Sequence, residues 1–289
     1  MKRQSKWLFD ALSITAWLLV CGGVIFYVIA NFDSLSRRFF TQWLSGASDE
    51  RPMADVWPPL STPWTGDLDE MIERGEIRIL TTFTLGLYFI DRGRPRGAVL
   101  ESVELFEKFI KKKLGAPARN LKIVVIPVRR DQVLPFLVEG YGDVALAQLR
   151  ITPRRRKVVD FAVPFTSQDK EFVITGPASS EVTSLEDLAG KKIVIRKESS
   201  YFDSLTELNK RFRKEGKPLI KISPADSRLE TDDILEMVHA GLIPMTMADD
   251  FRTRLWTRVF DQLNTSEDLI LMEGGQIAPA IRKNSPQLK

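Results

Sequence analysis

The sequence predicts an α/β protein of two lobes carried behind a membrane-spanning N-terminal helix. Three observations lead there. From residue 66 onward, short apolar runs alternate with segments of helical period, the signature of a sheet with helices packed on its faces. After residue 175 that rhythm stops and restarts with its own capped turn and strand, as a second lobe would. Ahead of both, Ala11 to Ala30 carries no charge over a length that can cross a bilayer core at about 1.5 Å rise per residue. A chain of 289 residues with 44% apolar content can fill two compact lobes, and 28% charged residues argue against wholesale disorder.

Taken in order, Lys2, Arg3 and Lys6 precede the apolar run and no cation follows it until Arg37. Under the positive-inside rule, residues 1–10 are cytoplasmic, 11–30 span the membrane, and everything after Asn31 lies on its far side. A cleaved signal peptide ending at Val28-Ile29-Ala30 is the competing reading. The run exceeds the usual apolar core of about 7–15 residues in such peptides, which favours an anchor. Residues 31–65 read as a linker. Within it, 34–43 forms either a short amphipathic helix at the membrane surface, with Phe39, Phe40 and Trp43 on one side, or plain linker. Arg51 to Trp64 carries four prolines and reads as an extended spacer.

Lobe one is expected over residues 66–170. Asp67 to Gly75 has an Asp cap, acids in the first turn and a terminal Gly, so it is a short helix leading into strand 76–82. In GAVLESVELFEKFIKKKLG, Val99, Val103, Phe106 and Ile110 fall on one helical face, and Lys111 to Lys113 complement the dipole in the last turn. Strand 121–128, helix 131–139 and strand 144–149 follow, and the alternation predicts a parallel sheet. Residues 154–157 are four consecutive cations in a polar loop before a second apolar strand that ends in Pro164-Phe165. Lobe two is expected over 171–271: strand 170–175, a capped turn at 183–188, strand 192–195, helix 201–215, strand 219–222, helix 231–240, strand 244–248 and helix 249–259. Residues 272–289 then return to lobe one through GQIAPAIR, leaving that lobe's closing helix incomplete.

The segment GYGDVALAQLRITPRRRKVVDFAVPF, residues 140–165, resembles the pattern GxxDxxxxxxxITxxRxxxxxFxxPY of the family 3 solute-binding proteins, the periplasmic amino-acid receptors. Gly140, Asp143, Ile151, Thr152, Arg155, Phe161 and Pro164 match it, and Phe165 stands in place of Tyr. The opening DLDEMIERGEIRILT is also similar to the start of those domains. The resemblance implies a two-lobed, type II periplasmic-binding-protein-like fold with a cleft between the lobes. The anchor, the spacer and the segment ETDDILEMVHAGLIPMTMADD, residues 230–250, together resemble the N-terminal half of the membrane-bound lytic transglycosylases F. In that family a binding domain precedes a catalytic one and is thought to regulate it by sensing cell-wall peptides.

Carried over residue by residue, the resemblance implies that Arg155 clamps a ligand carboxylate, for which a planar guanidinium fork is well suited. Ser199 and Ser200 would donate hydrogen bonds to the same carboxylate, and Asp249 would hold an ammonium group. Tyr88 or Phe89 would supply an aromatic wall and Glu101 an acid. Gln148 and Arg150 align with positions that are small or backbone-contacting in the receptors. A bulky cation at 150 either occludes an amino-acid pocket or suits a ligand with a further acid group. Ser199, Ser200 and Asp249 also sit where helix caps belong, and both roles can hold together. Glu198 to Phe202, ESSYF, looks like the motif around the catalytic glutamate of lytic transglycosylases. Here it follows an apolar strand in an α/β setting, which makes it a binding-protein loop.

Composition excludes other classes. Lys2, Arg3 and Lys6 against Asp10 account for half of the +4 formal net charge, which leaves no basic field for nucleic acid. One histidine, His239, and one cysteine, Cys21, argue against a metal site and against an intrachain disulfide. No cofactor is expected. Together with these residues, the resemblance implies a periplasmic module anchored in the bacterial inner membrane through residues 11–30 that binds a small amino-acid-like or muropeptide ligand as the regulatory part of a lytic transglycosylase, with peptidoglycan as a further partner. Two alternatives stay open: a lytic transglycosylase whose catalytic domain lies downstream, and a transport or sensor receptor. No acid-base pair or nucleophile constellation is visible in these residues.

Overall fold

The computed structural model of the protein describes residues 62–289. The expected membrane helix at 11–30, the stretch at 34–43 and most of the spacer lie outside the described residues. Among the described residues, no helix is long and apolar enough to cross a membrane.

Lobe one opens with α1 (Leu68–Arg74), in which the Asp67 carboxylate accepts the Leu68 N–H at 2.8 Å and Glu70 accepts the Asp67 N–H at 3.0 Å. Strand β1 (Glu76–Thr81), the hairpin β2 (Phe89–Asp91) and β3 (Arg94–Arg96), helix α2 (Ala98–Leu114), strand β4 (Lys122–Pro127), helix α3 (Val133–Glu139) and strand β5 (Val144–Arg150) follow. β1 lies between β4 and β5 and runs parallel to both. Val99, Val103 and Ile110, on the face predicted from their spacing, join Met71, Ile77 and Ile79 in one buried cluster under α1 and α2.

Beyond β5 the structure departs from the sequence reading. The cationic segment is not a loop but a one-turn helix, α4 (Pro153–Arg156), because the Thr152 hydroxyl accepts the Arg155 N–H at 3.2 Å and Pro153 suits the first helical position. The apolar stretch after it forms only the short strand β6 (Asp160–Phe161), and Val163 and Phe165 are left exposed. Strand β7 (Thr166–Thr175) starts four residues before the expected position. Its first half crosses between lobes and is held by backbone pairing, so it lacks the apolar pattern that marks a buried strand.

Lobe two contains β8 (Lys192–Ile195), α5 (Ser200–Lys214), β9 (Lys221–Pro224), α6 (Thr231–His239), β10 (Met245–Asp249) and α7 (Asp250–Val259), before β11 (Ile270–Ile281) returns. Along β7, Val173 packs toward α5 with Ile193, Ile195, Leu205 and Phe212, while Phe172 and Ile174 pack toward α6 and α7 with Ile234, Leu235 and Trp256. Period-two burial on both faces is what a sheet covered by helices requires. The β8–β9 pair is parallel and adjoins β10, where the Thr246 hydroxyl donates to the Val194 carbonyl at 2.7 Å.

The main sheet has seven strands in the order β10-β7-β11-β5-β1-β4, with β6 also on β11. It is mixed, whereas the sequence predicted parallel strands: β7 pairs antiparallel with β10 and β11, and β11 pairs antiparallel with β5. The cause is topological, since the chain leaves lobe one along β7 and comes back along β11 in the opposite direction. Ile277 is the handover, opposite Thr166 of β7 and Arg150 of β5.

Asp143 ties lobe one together. Its fully buried carboxylate takes Arg74 Nη2 at 2.6 Å, Arg78 Nη2 at 3.0 Å, the Arg78 N–H at 2.8 Å and Arg282 Nη2 at 3.4 Å. These bonds join α1, β1, the turn before β5 and the end of β11. Gly140, at φ +86°, ends α3 in the left-handed region, and a Cβ there would lie 2.7 Å from the Trp64 carbonyl oxygen. Burial pushes the Asp143 carboxyl up, but hydrogen bonds and charge from Arg78 and Arg74 outweigh it and hold the pKa below the usual range. A lowered folded pKa gives stability that is present above the unfolded value of about 4 and is lost as pH falls through the folded one. Asp143→Ala should cost about 3–5 kcal/mol in urea denaturation, since three arginines lose one shared partner. An unchanged midpoint would refute this role.

Candidate functional site

Open α/β sheets place sites at the carboxyl ends of their strands, where loops carry side chains over a crevice. Here the ends of β5, β8 and β10 converge on a cavity of about 30 Å3 at the seam between the lobes, lined by Gln148, Arg150, Arg155, Ser199, Ser200 and Asp249 together with Arg130, Asp169, Arg196, Tyr201 and Arg252. Six residues singled out in the sequence are thus brought to one place. Tyr88 and Glu101 are not. Tyr88 is buried in the core of lobe one, 5.6 Å from the ring of Phe83, and burial pushes its phenol pKa up. Glu101 is exposed on α2, and Phe89 sits at the start of the β2–β3 hairpin.

Arg155 is only 8% exposed. Its Nη1 donates to the Arg150 carbonyl at 2.8 Å and its Nη2 to the Glu198 carbonyl across the seam at 3.0 Å. Burial, with the charges of Arg130, Arg154 and Arg196 nearby, pushes its guanidinium down to about 9. Ser199 and Ser200 already donate within the chain, to the Arg196 carbonyl at 2.7 Å and to Glu171 Oε1 at 2.6 Å. Gln148 is held at φ +49°, an uncommon backbone state for a side-chain-bearing residue, beside the same cavity.

Arg150 turns sideways onto the crossing strand, pairing with Asp169 and, at 3.0 Å, with Glu171 Oε1. Burial, with Asp249 adding to it against the Arg150 charge, pushes the Asp169 carboxyl up to about 6. Gly275 makes room for this guanidinium, since a Cβ there would lie 1.8 Å from Arg150 Nη1. Asp249 caps α7, accepting the Arg252 N–H at 2.9 Å, and it also pairs with the Arg252 guanidinium. Arg252 reaches Asp232 as well, at 3.2 Å, and Tyr201 contributes a hydroxyl 3.3 Å from Asp249 Oδ2. Burial opposes ionisation of Asp249, but Arg252 outweighs it and lowers its pKa. Breaking such a buried pair costs about 3–5 kcal/mol, so a ligand cation does not easily displace Arg252.

Sequence reasoning missed Arg130, Arg196 and Arg252. Arg252 stands three residues after Asp249 at a helix start, a spacing that pairs side chains. Arg196 is the first residue past an apolar strand, where a cleft residue is expected. Arg130 carried no local signal. It is placed by its partner Glu230, 100 residues away, which takes Nη2 at 2.8 Å and Nε at 3.0 Å; Arg130 also donates to Thr82 Oγ1 at 2.8 Å and to the Ala147 carbonyl. A second bridge across the seam, Arg154 to Asp203 at 3.2 Å, is more exposed and contributes less. Glu230→Gln should leave Arg130 without its counter-charge, enlarge the radius of gyration in small-angle scattering and lower stability by about 3–5 kcal/mol. Scattering curves identical to wild type would show that the pair does not hold the lobes together.

Comparison with known proteins agrees with this architecture. A curated relative, membrane-bound lytic murein transglycosylase F of Pseudomonas putida, is 28% identical over 204 residues, 70% of this chain and 39% of that protein. The protein of the same name from Aeromonas hydrophila is 24% identical over 220 residues, covering 76% of this chain and 40% of its own. The chain therefore spans about two fifths of the length of these relatives. Among solved structures, the truncated arginine-bound form of ArgBP from T. maritima superposes with a TM-score of 0.60 at 20% identity, covering 76% of this chain and 94% of that one. An ancestral arginine-binding protein bound to arginine gives 0.57 at 24% identity, covering 74% and 88%. Both share the two-lobed α/β fold. The family profile of the bacterial extracellular solute-binding proteins, family 3, matches residues 87–289, and the chain belongs to that family.

Proposed function

We propose that this chain is a membrane-anchored, periplasmic binding module that closes its two lobes on a small amino-acid-like or cell-wall peptide anion. The observation that carries the reading is Arg155: a guanidinium 8% exposed, lining the cavity with Ser199 and Ser200, and without a carboxylate partner among the described residues. A buried cation with only carbonyls to donate to is a site prepared for an anion, since a bidentate carboxylate supplies what the carbonyls do not. The uncharged run at 11–30 supports the anchor, and the relatives named membrane-bound support the same location.

A second reading is favoured by the 204 residues over which the chain aligns with a transglycosylase relative. On that reading the module regulates a peptidoglycan-cleaving domain encoded beyond Lys289. Genomic sequence past Lys289 separates the two, because a helical domain with its own Glu-Ser motif supports the enzyme. A neighbouring permease pair would instead support a transport receptor.

Calorimetric titration of the full chain in detergent with amino acids and muropeptides tests the binding reading. Wild type is expected to bind a carboxylate-bearing probe, and Arg155→Ala to weaken it by roughly tenfold to a hundredfold, the worth of a hydrogen-bonded charge. Equal affinity in the two proteins would show that Arg155 does not contact the ligand.

A further inference from the structure

Which anion the cleft accepts follows from how its own charges pair; this step rests on the reading that the cleft binds a carboxylate-bearing ligand. A receptor for a free amino acid needs an unoccupied carboxylate for the ammonium. Here both Asp249 oxygens are taken, Oδ1 by the Arg252 N–H at 2.9 Å and Oδ2 by the Arg252 guanidinium and the Tyr201 hydroxyl. The other acids at the seam are paired as well: Asp169 and Glu171 by Arg150, Glu230 by Arg130, and Asp232 through Oδ1 by Arg252, its unpartnered Oδ2 lying outside the lining of this cavity. Arg252 occupies the place that a ligand cation would need.

The cations are not matched in the same way. Arg155 of lobe one and Arg196 of lobe two both line the cavity, and neither forms an ion pair among the described residues. Arg196 is 7% exposed; its Nη2 donates to Thr231 Oγ1 at 2.8 Å, and its Nε is buried without a partner. Arg150 Nη1 is also buried and unpartnered, but it packs over Gly275 of the crossing strand. Buried guanidinium N–H groups with no acceptor are costly unless a ligand supplies one. Each lobe thus contributes one cavity-lining guanidinium with no carboxylate at ion-pair distance among the described residues.

We infer that the cleft takes a compact dianion without an ammonium group, an N-acylated acidic amino acid or a peptide end of that kind, bridged between Arg155 and Arg196. One carboxylate accepts from each guanidinium and supplies the carboxylate partner that neither arginine has within the described residues. The acyl nitrogen, being uncharged, needs no counter-ion beside Asp249.

Calorimetry on the full chain in detergent, with N-acetylglutamate, glutamate and N-acetylglutamine as probes, tests this. N-acetylglutamate should bind roughly tenfold to a hundredfold more tightly than either of the others. Arg196→Gln, and Arg196→Lys as the milder variant, should remove most of the preference for N-acetylglutamate over N-acetylglutamine; circular dichroism checks that each is folded. Tighter binding of glutamate would overturn the exclusion of ammonium. Equal binding of N-acetylglutamate and N-acetylglutamine, or a folded Arg196 variant of unchanged preference, would overturn the two-charge assignment. Binding of amino acids or muropeptides but none of these three probes defeats the inference and leaves the binding reading standing. Binding of no probe at all defeats both.

Discussion

Burying guanidinium groups at the seam between two lobes is the constraint that orders this molecule. An arginine removed from water needs a partner for its charge and acceptors for its N–H groups, and the interior offers few of either. The chain answers with three internal pairings, Arg130 with Glu230, Arg150 with Asp169 and Glu171, and Arg252 with Asp249 and Asp232. Each pairing also does mechanical work. The first joins the lobes, the second braces β5 against the crossing strand, and the third fixes the start of α7. Arg155 and Arg196 are what remains: one from each lobe, both lining the cavity, and neither with a carboxylate partner among the described residues.

The backbone makes that arrangement available. β7 and β11 are the strands that belong to both lobes, and the register of β11 is irregular between Met272 and Ile277. Bulges there interrupt the continuous pairing between the crossing strands, with Gly274 and Gly275 in the same stretch. Gly275 also lets Arg150 pass over the strand, so the irregular stretch accommodates the ion pair. Away from the seam the lobes are conventional: lobe one is tied by Asp143 and its three arginines, and lobe two by helices on both faces of β7 and β8.

Much of this was legible in residue order. Capping residues, terminal glycines and the spacing of Val99, Val103 and Ile110 located the helices, because helix signals act within four residues. Strands buried on both faces, such as Lys192–Ile195, announced themselves as apolar runs. The crossing strand was underestimated because its first half is polar, and the mixed direction of the sheet was missed because direction depends on where the chain returns. Among the site residues, Arg155, Ser199, Ser200 and Asp249 stood out by motif, and the structure gathers them around one cavity. Tyr88 and Glu101 were named by position in a pattern, and the fold turns one into the core and the other to solvent.

The amino-acid order by itself determined the α/β class, the succession of elements, the family and the presence of a cation cluster after β5, since each is written in local patterns or in short motifs. Only the tertiary structure decided the charge state of the cleft. Whether Asp249 is free or neutralised depends on Arg252 folding back one helical turn, and whether Arg130 is spent depends on Glu230, 100 residues further along. Electrostatic pairing acts across space with no regard for sequence separation. A motif can therefore name the residues of a cleft while their mutual pairing determines which of them are still available to a ligand.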